Sequence, residues 1–149
     1  MAIHLVYHSL TGNTRKVAEA MATELAVQPI AVKDVDTGEI RAGDLLFLGD
    51  GVYWNRPSRP MRRFVKQLRP LQNIKVALFG TYGGWPRQLD WMAVQIQQRG
   101  GEILGRFSCK GRDWAFLGLI ARRHPSQMDL KAAAAFAAQM QERVKKSQS

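Results

Sequence analysis

The chain of 149 residues has little cysteine, few acidic side chains and no long apolar run. Its one cysteine, Cys109, cannot form an intrachain disulfide, as expected of a protein in a reducing cytosol. The longest wholly non-polar stretch is Trp114–Ala121, whereas a membrane-spanning helix needs about twenty such residues. No basic segment precedes the first apolar run, so we expect no secretory signal. These absences predict a cytoplasmic protein without a membrane span.

Two nucleotide-binding motifs are also missing from the first predicted strand-to-helix turn, residues 9–14. A nucleoside-triphosphate loop needs G-x-x-x-x-G-K-[ST], and a dinucleotide fold needs G-x-G-x-x-G. The turn has one glycine and no lysine, so neither nucleotide class is indicated. Three hydroxyl side chains and an amide are present instead, in the order Ser9, Leu10, Thr11, Gly12, Asn13 and Thr14.

The residues around this turn predict a phosphate site. The apolar run Ile3–Tyr7 before it predicts a strand, and apolar residues spaced three and four apart after it predict a helix. Hydroxyl donors, a backbone made compact by Gly12 and the free N–H groups of the helix then face one point. Because the donors are neutral, we favour a terminal phosphomonoester. An ordinary capped turn is the alternative, since Ser, Thr and Asn are common helix N-caps.

Strands and helices alternate along the rest of the chain. Further strands are predicted at Ile30–Val35, Leu45–Leu48, Val76–Phe79 and Ile103–Phe107, and a long helix from about Asp129 to Lys146. Continuous apolar runs are typical of parallel strands that are covered on both faces. We therefore predict an α/β fold, with a doubly wound five-stranded parallel sheet, helices on both faces and a single domain over residues 1–149. The segment Trp114–Ile120 either packs against the sheet edge or forms an exposed patch for a partner.

Three turns should meet at one edge of this sheet, because open α/β sheets bind ligands at the carboxyl ends of their strands, where strand order reverses. The second turn, Asp50–Pro57, contains Val52, Tyr53, Trp54 and Asn55. The third turn, Gly80–Pro86, contains Thr81, Tyr82, Gly83, Gly84 and Trp85. A tyrosine and a tryptophan beside glycines in each turn favour stacking on a planar ring. The alternative is that two of the four aromatics only support the loops.

The order [Ser/Thr]-x-Thr-Gly-x-Thr in residues 9–14 resembles the FMN-phosphate loop of the flavodoxin family. The resemblance also includes Phe79-Gly80-Thr81 and His124-Pro125, which look like a short flavodoxin-like subgroup. The resemblance implies non-covalent FMN, with its phosphate on residues 9–14 and its ring between residues 52–55 and 81–85. Familiar flavodoxins are acidic and often carry an acidic residue in the third loop. Here residues 81–88 hold no carboxylate and include Arg87.

Two enzyme classes with the same architecture each lack a required residue. A response-regulator receiver would use Asp50 and Lys110, but it also needs an acidic pair after strand one, where this chain has His8-Ser9. A low-molecular-weight tyrosine phosphatase needs a nucleophilic cysteine at the position of Ser9. No Cys, His or carboxylate set stands at metal-ligand spacing, and Cys109 is interpreted as a buried structural thiol.

Basic side chains number 22 against 12 acidic ones, for a net charge of +10. The excess lies in residues 51–127, which hold fourteen basic and three acidic side chains. Six of the basic ones follow the second turn: Arg56, Arg59, Arg62, Arg63, Lys66 and Arg69. Such a face would speed encounter with a redox protein partner that has an acidic docking face, or with an anionic small molecule. Nucleic acid ranks lower because no nucleic-acid motif is present, and a solvated surface without a partner is the alternative.

We therefore expect an FMN-binding electron carrier in which the flavin performs the chemistry and no side chain is catalytic. Two alternatives stay open. One is an FMN-dependent reductase that passes electrons from NAD(P)H to a small oxidant such as a quinone, and the other is a binding module that has lost its flavin.

Overall fold

Five parallel strands form one sheet in the computed structural model, which describes residues 1–51, 56–82, 87–110 and 125–149. The strands are β1 (Ile3–Tyr7), β2 (Pro29–Ala31), β3 (Leu45–Gly51), β4 (Lys75–Tyr82) and β5 (Glu102–Lys110). The helices in these ranges are α1 (Asn13–Leu25), α2 (Arg59–Gln67), α3 (Gln88–Gln98) and α4 (Gln127–Gln148). The strand order is β2-β1-β3-β4-β5, and every pairing is parallel. The predicted five-stranded parallel fold is confirmed.

Two hydrophobic layers cover the sheet, because successive strand side chains point to opposite faces. On one face, Leu46, Leu48 and Leu78 pack with buried residues of α2 and α3. On the other face, Phe47 and Phe79 pack with buried residues of α1 and α4. Burial on both faces explains why β3 and β4 are continuous apolar runs rather than alternating ones.

The predicted ends of β3 at Leu48 and of β4 at Phe79 are wrong, because both strands continue for three more residues. Gly49 was expected to end its strand, yet it pairs with Phe79 in the parallel ladder. A β-carbon on Gly49 would lie 2.1 Å from the ring of Phe79. The glycine therefore makes room for an aromatic ring within the sheet. The fifth strand is likewise longer than Ile103–Phe107.

The second strand was predicted over Ile30–Val35 but ends at Ala31. Its neighbour β1 stops at Tyr7, the residue that pairs with Ala31, so the chain beyond has no strand to pair with. Val32–Asp34 forms a short 3₁₀ turn instead, and Val32 enters the hydrophobic layer shared with α2 and α3.

The last helix and the single cysteine agree with the sequence patterns. Helix α4 starts slightly earlier than predicted, with a reciprocal capping box between Ser126 and Asp129. Its residues Ala133, Ala137, Met140 and Val144 are buried, whereas Leu130 is half-buried. Cys109 is buried, as predicted, and burial raises the pKa of its thiol to about 12. Trp114–Ile120 and His124 lie outside the described residues.

The close approach at Gly49 is testable by adding one methyl group. We expect Gly49→Ala to destabilise the protein by about 1 to 3 kcal/mol, because the new β-carbon overpacks the interior against Phe79. Phe79→Leu opens space there, so the double variant should lose less stability than the two single losses added together. Urea denaturation of all four proteins measures this coupling, and strictly additive losses would contradict the packing explanation.

Candidate functional site

The three predicted turns begin at one edge of the sheet, beside the point where strand order reverses. From β1 the chain crosses to β2 on one side and then to β3 on the other, so the crevice opens at the carboxyl ends of β1 and β3. The backbone N–H of His8, just past β1, donates to Gly49 O at 3.0 Å. The ends of β1, β3 and β4 are therefore held in fixed register at this edge.

The first loop has the geometry of a tight, glycine-dependent turn. Gly12 has a φ of 89°, in the left-handed region that side-chain-bearing residues rarely adopt. Its N–H donates to Ser9 Oγ at 3.0 Å. The oxygen of Ser9 accepts this bond, so the hydroxyl hydrogen of Ser9 is still free to donate to a ligand. Leu10 and Thr11 are exposed at the tip of the loop.

Helix α1 begins at this loop without a side-chain cap, as α3 also does. Gly12 offers no side-chain cap, and no acidic residue lies in the first turn. By contrast, the side chain of Ser58 caps α2, and Ser126 with Asp129 caps α4. A helix N-terminus without a side-chain cap presents N–H donors and a partial positive charge, which together bind an anion.

A buried pair of hydroxyls fixes this helix end against β4. Thr14 Oγ1 lies 2.8 Å from Thr81 Oγ1, and the two residues are only 2% and 5% exposed. One hydroxyl hydrogen is used between them, so the other remains available to a ligand. Two of the predicted site residues, one from the first loop and one from the third, thus meet directly.

The sequence patterns did not assign a structural role to Asp50, which is fully buried at the end of β3. Its carboxyl oxygens accept from Gly51 N at 2.9 Å and from Ser58 N at 2.6 Å. Ser58 Oγ in turn accepts from Met61 N at 3.2 Å and so caps α2. The carboxyl group therefore ties together the two ends of the second loop.

Gln88, the first residue of α3, is a second residue whose role the sequence did not reveal. It is fully buried, and its Nε2 donates to Thr81 O at 3.3 Å and to Asp50 O at 3.5 Å. A β-carbon on Gly80 would lie 2.4 Å from this Nε2, so glycine is required for the amide to reach both carbonyls. Within the described ranges, Gln88 Oε1 has no hydrogen-bond partner.

Most of the predicted ring-stacking residues cannot be placed. Val52, Tyr53, Trp54 and Asn55, together with Gly83, Gly84 and Trp85, lie outside the described residues. Tyr82 is described and half-buried at the end of β4, where it pairs with Lys110. Stacking by the four aromatics therefore stays a prediction. No group of three or more His, Cys, Asp or Glu side chains in the described part of the chain is arranged to hold a metal ion.

Comparison with known proteins agrees with this geometry. The family model described as the flavodoxin domain matches residues 4–148. The chain belongs to the flavodoxin family. Because the match spans nearly the whole chain, the resemblance expected from residues 9–14 is confirmed.

Individual relatives extend the family match. This flavodoxin-family chain is 29% identical over 133 residues to an uncharacterised protein of Methanocaldococcus jannaschii, covering 84% of this chain and 87% of that protein. It is 32% identical over 118 residues to the flavodoxin-like domain-containing protein BilS of Clostridioides difficile, covering 72% of this chain and 65% of BilS. A solved flavodoxin from the domain Archaea superposes with a TM-score of 0.78 at 23% identity, covering 97% of this chain and 99% of that one. That superposition shows a shared fold.

Two titratable groups of the site, the buried Asp50 and the half-buried His8, have shifted pKa values. Burial raises the pKa of Asp50 to about 7, although the N–H donors of Ser58 and Gly51 oppose that shift. Burial also lowers the pKa of His8, so the imidazole is favoured in its neutral form.

None of the helices in the described ranges is both long and apolar enough to cross a membrane.

The raised pKa of Asp50 predicts how stability depends on pH. The carboxyl of the unfolded chain ionises near pH 4, whereas the folded one ionises near pH 7. Between these values the folded state holds more protons, so stability falls as pH rises through this window and levels off above it. The total fall from this group is up to about 4 kcal/mol.

We expect Asp50→Asn to remove this slope, whatever it does to absolute stability, because an amide does not ionise. Urea denaturation at a series of pH values measures it. Asp44→Asn is the matched control, because hydrogen bonds from Arg41 N, His4 and Ala2 N outweigh burial and lower the pKa of Asp44. Asp44 therefore contributes stability that is lost as pH falls. An unchanged slope in Asp50→Asn would contradict the assignment.

Proposed function

We propose that this chain binds FMN non-covalently at the carboxyl edge of its sheet and carries electrons between redox proteins. The observation that carries the proposal is the uncapped start of α1 beside the hydroxyl-rich first loop. Membership of the flavodoxin family supports the same class of ligand.

The donor set fits a phosphate ester. Ser9 and Thr11 supply hydroxyl groups, the Thr14–Thr81 pair has one hydroxyl hydrogen left, and the first turn of α1 supplies backbone N–H groups. Hydrogen bonds to a charged acceptor are shorter and stronger than neutral ones, so several such donors hold a dianion without a lysine. The nearby guanidinium of Arg15 is already paired with Glu19 at 2.9 Å.

The ring of the cofactor would lie between the second and third loops. Their tips are outside the described residues, but their ends are fixed by the carboxyl of Asp50 and the amide of Gln88. When bound, FMN supplies one-electron and two-electron transfer chemistry. The role left to the protein is to bind the phosphate, orient the ring and limit its contact with water.

A visible absorption spectrum of the purified protein tests the proposal directly. We expect a yellow protein with a flavin spectrum, or a colourless one that takes up added FMN and then shows it. A protein that does neither is a binding module without flavin. Turnover of NAD(P)H with a quinone in the absence of a second protein would instead indicate a reductase.

The proposed phosphate site is tested by removing two hydroxyl groups from the first loop. We expect Thr11→Ala combined with Thr14→Ala to weaken FMN binding at least tenfold, because each bond to a charged group contributes about 1.5 to 3 kcal/mol. Riboflavin, which lacks the phosphate, should lose far less affinity. Flavin fluorescence quenching measures both dissociation constants.

Thr11→Ser combined with Thr14→Ser is the control for this pair of substitutions. Both hydroxyls are retained, including the one that faces Thr81, so FMN affinity should stay within about threefold of the original. Equal losses for FMN and riboflavin in the alanine variant would mean that the loop does not hold the phosphate.

A further inference from the structure

Two adjoining cavities open on the flank of the first loop that faces β2 and α2. One, of about 580 Å³, is lined by the first loop together with Ala31, Val32 and Lys33. The other, of about 510 Å³, lies between that loop and the start of α2. His8, Leu10 and Pro60 line both, so the cavities form one groove. Ser9, Thr11 and Gly12 also line the first cavity, so the groove adjoins the proposed phosphate site, whereas the Thr14–Thr81 contact lies toward β4.

The groove has cationic walls at its α2 side. Arg56, Arg59 and Arg62 line it, and no carboxylate is among the described residues that line either cavity. None of these three arginines forms an ion pair within the described ranges. Residues 56–69 as a whole carry six basic side chains and no acidic one. Their charges are therefore not neutralised by the part of the chain that the structure describes.

The lining of the groove also includes the apolar residues Leu10, Pro57 and Pro60. Leu10 is 73% exposed, an unusual state for a leucine in a short functional loop. It lines the second cavity together with Pro60 and the three arginines. Protein interfaces are built in this way, with an apolar centre, arginines and a polar rim. A small anion or a phosphate backbone would satisfy the arginines but would leave Leu10 uncovered.

We propose that this groove, defined by Leu10, Pro60, Arg56, Arg59 and Arg62, docks the acidic face of a redox protein. Carboxylates of the partner pair with the arginines, and an apolar side chain of the partner covers Leu10. The inference rests on the proposed electron-transfer function, because the first loop contributes to both the groove and the proposed phosphate site. A partner docked there would lie beside the first loop, the loop that is proposed to hold the phosphate of the cofactor.

Charge of this kind acts mainly on the rate of encounter. Complementary charges raise association rates and lose that effect as salt is added. Helix α2 rises about 1.5 Å per residue, so Lys66 lies about 10 Å from Arg59 along it. That distance is about one Debye length at 0.1 M salt, so charges at the far end of α2 contribute less to a contact at its start.

The experiment measures binding of a fluorescently labelled, acidic plant-type [2Fe–2S] ferredoxin by anisotropy at about 0.1 M salt. A basic cytochrome c and a DNA oligonucleotide serve as contrasting probes. We expect Arg56→Glu combined with Arg59→Glu to weaken ferredoxin binding at least about tenfold, with a smaller loss at high salt. Lys66→Glu combined with Arg69→Glu makes the same change in net charge and should cost at most about threefold.

The contribution of the apolar residue Leu10 is tested separately. Leu10→Ala should weaken ferredoxin binding by roughly fivefold, whereas Met128→Ala, at an 81% exposed position on α4, should change it less than twofold. Equal losses from the two charge-reversed pairs would mean a diffuse positive field and would overturn the groove. Loss of DNA binding without loss of ferredoxin binding would overturn the choice of partner. Visible absorbance reports flavin content in every sample, so failure of the cofactor proposal is recognised independently of docking.

Discussion

Asp50 joins the end of β3 to the start of α2 through its carboxyl group, and the second loop depends on that junction. Burying a carboxyl away from water is costly, which is why its pKa rises. Two backbone donors at 2.9 and 2.6 Å partly offset the cost. Ser58 takes part twice, because its N–H binds Asp50 while its hydroxyl caps α2. The basic helix is thus oriented from inside the protein, by contacts that solvent and salt do not reach.

Thr81 plays the corresponding part for the other two loops. Its hydroxyl meets Thr14 at the start of α1, and its carbonyl accepts from Gln88 at the start of α3. A single residue at the end of β4 therefore holds two helices. The contacts around Thr81 in the described residues thus join a strand end to two first helical turns. Sites built in this way are positioned more accurately than sites carried by loops alone.

The sequence predicted those features that follow from periodicity, and it failed where two distant segments meet. The long last helix, predicted from about Asp129 to Lys146, was correct because helical spacing depends on neighbouring residues alone. Strand ends at Gly49 and Gly80 were wrong, because a glycine that ends a strand has the same local sequence as one that admits a ring or an amide. Asp50 and Gln88 were not assigned their roles, since a polar residue at an element boundary ordinarily faces water.

The uncapped start of α1 makes folding and ligand supply thermodynamically linked. Among the described residues no side chain caps this helix start, and backbone N–H groups at a helix N-terminus can bind an anion. Any ligand that binds them in the folded state alone increases stability in proportion to the logarithm of its concentration over its dissociation constant. If the proposed cofactor binds there, chains without it would unfold more often and be exposed to proteolysis, so the abundance of the protein would follow the supply of cofactor.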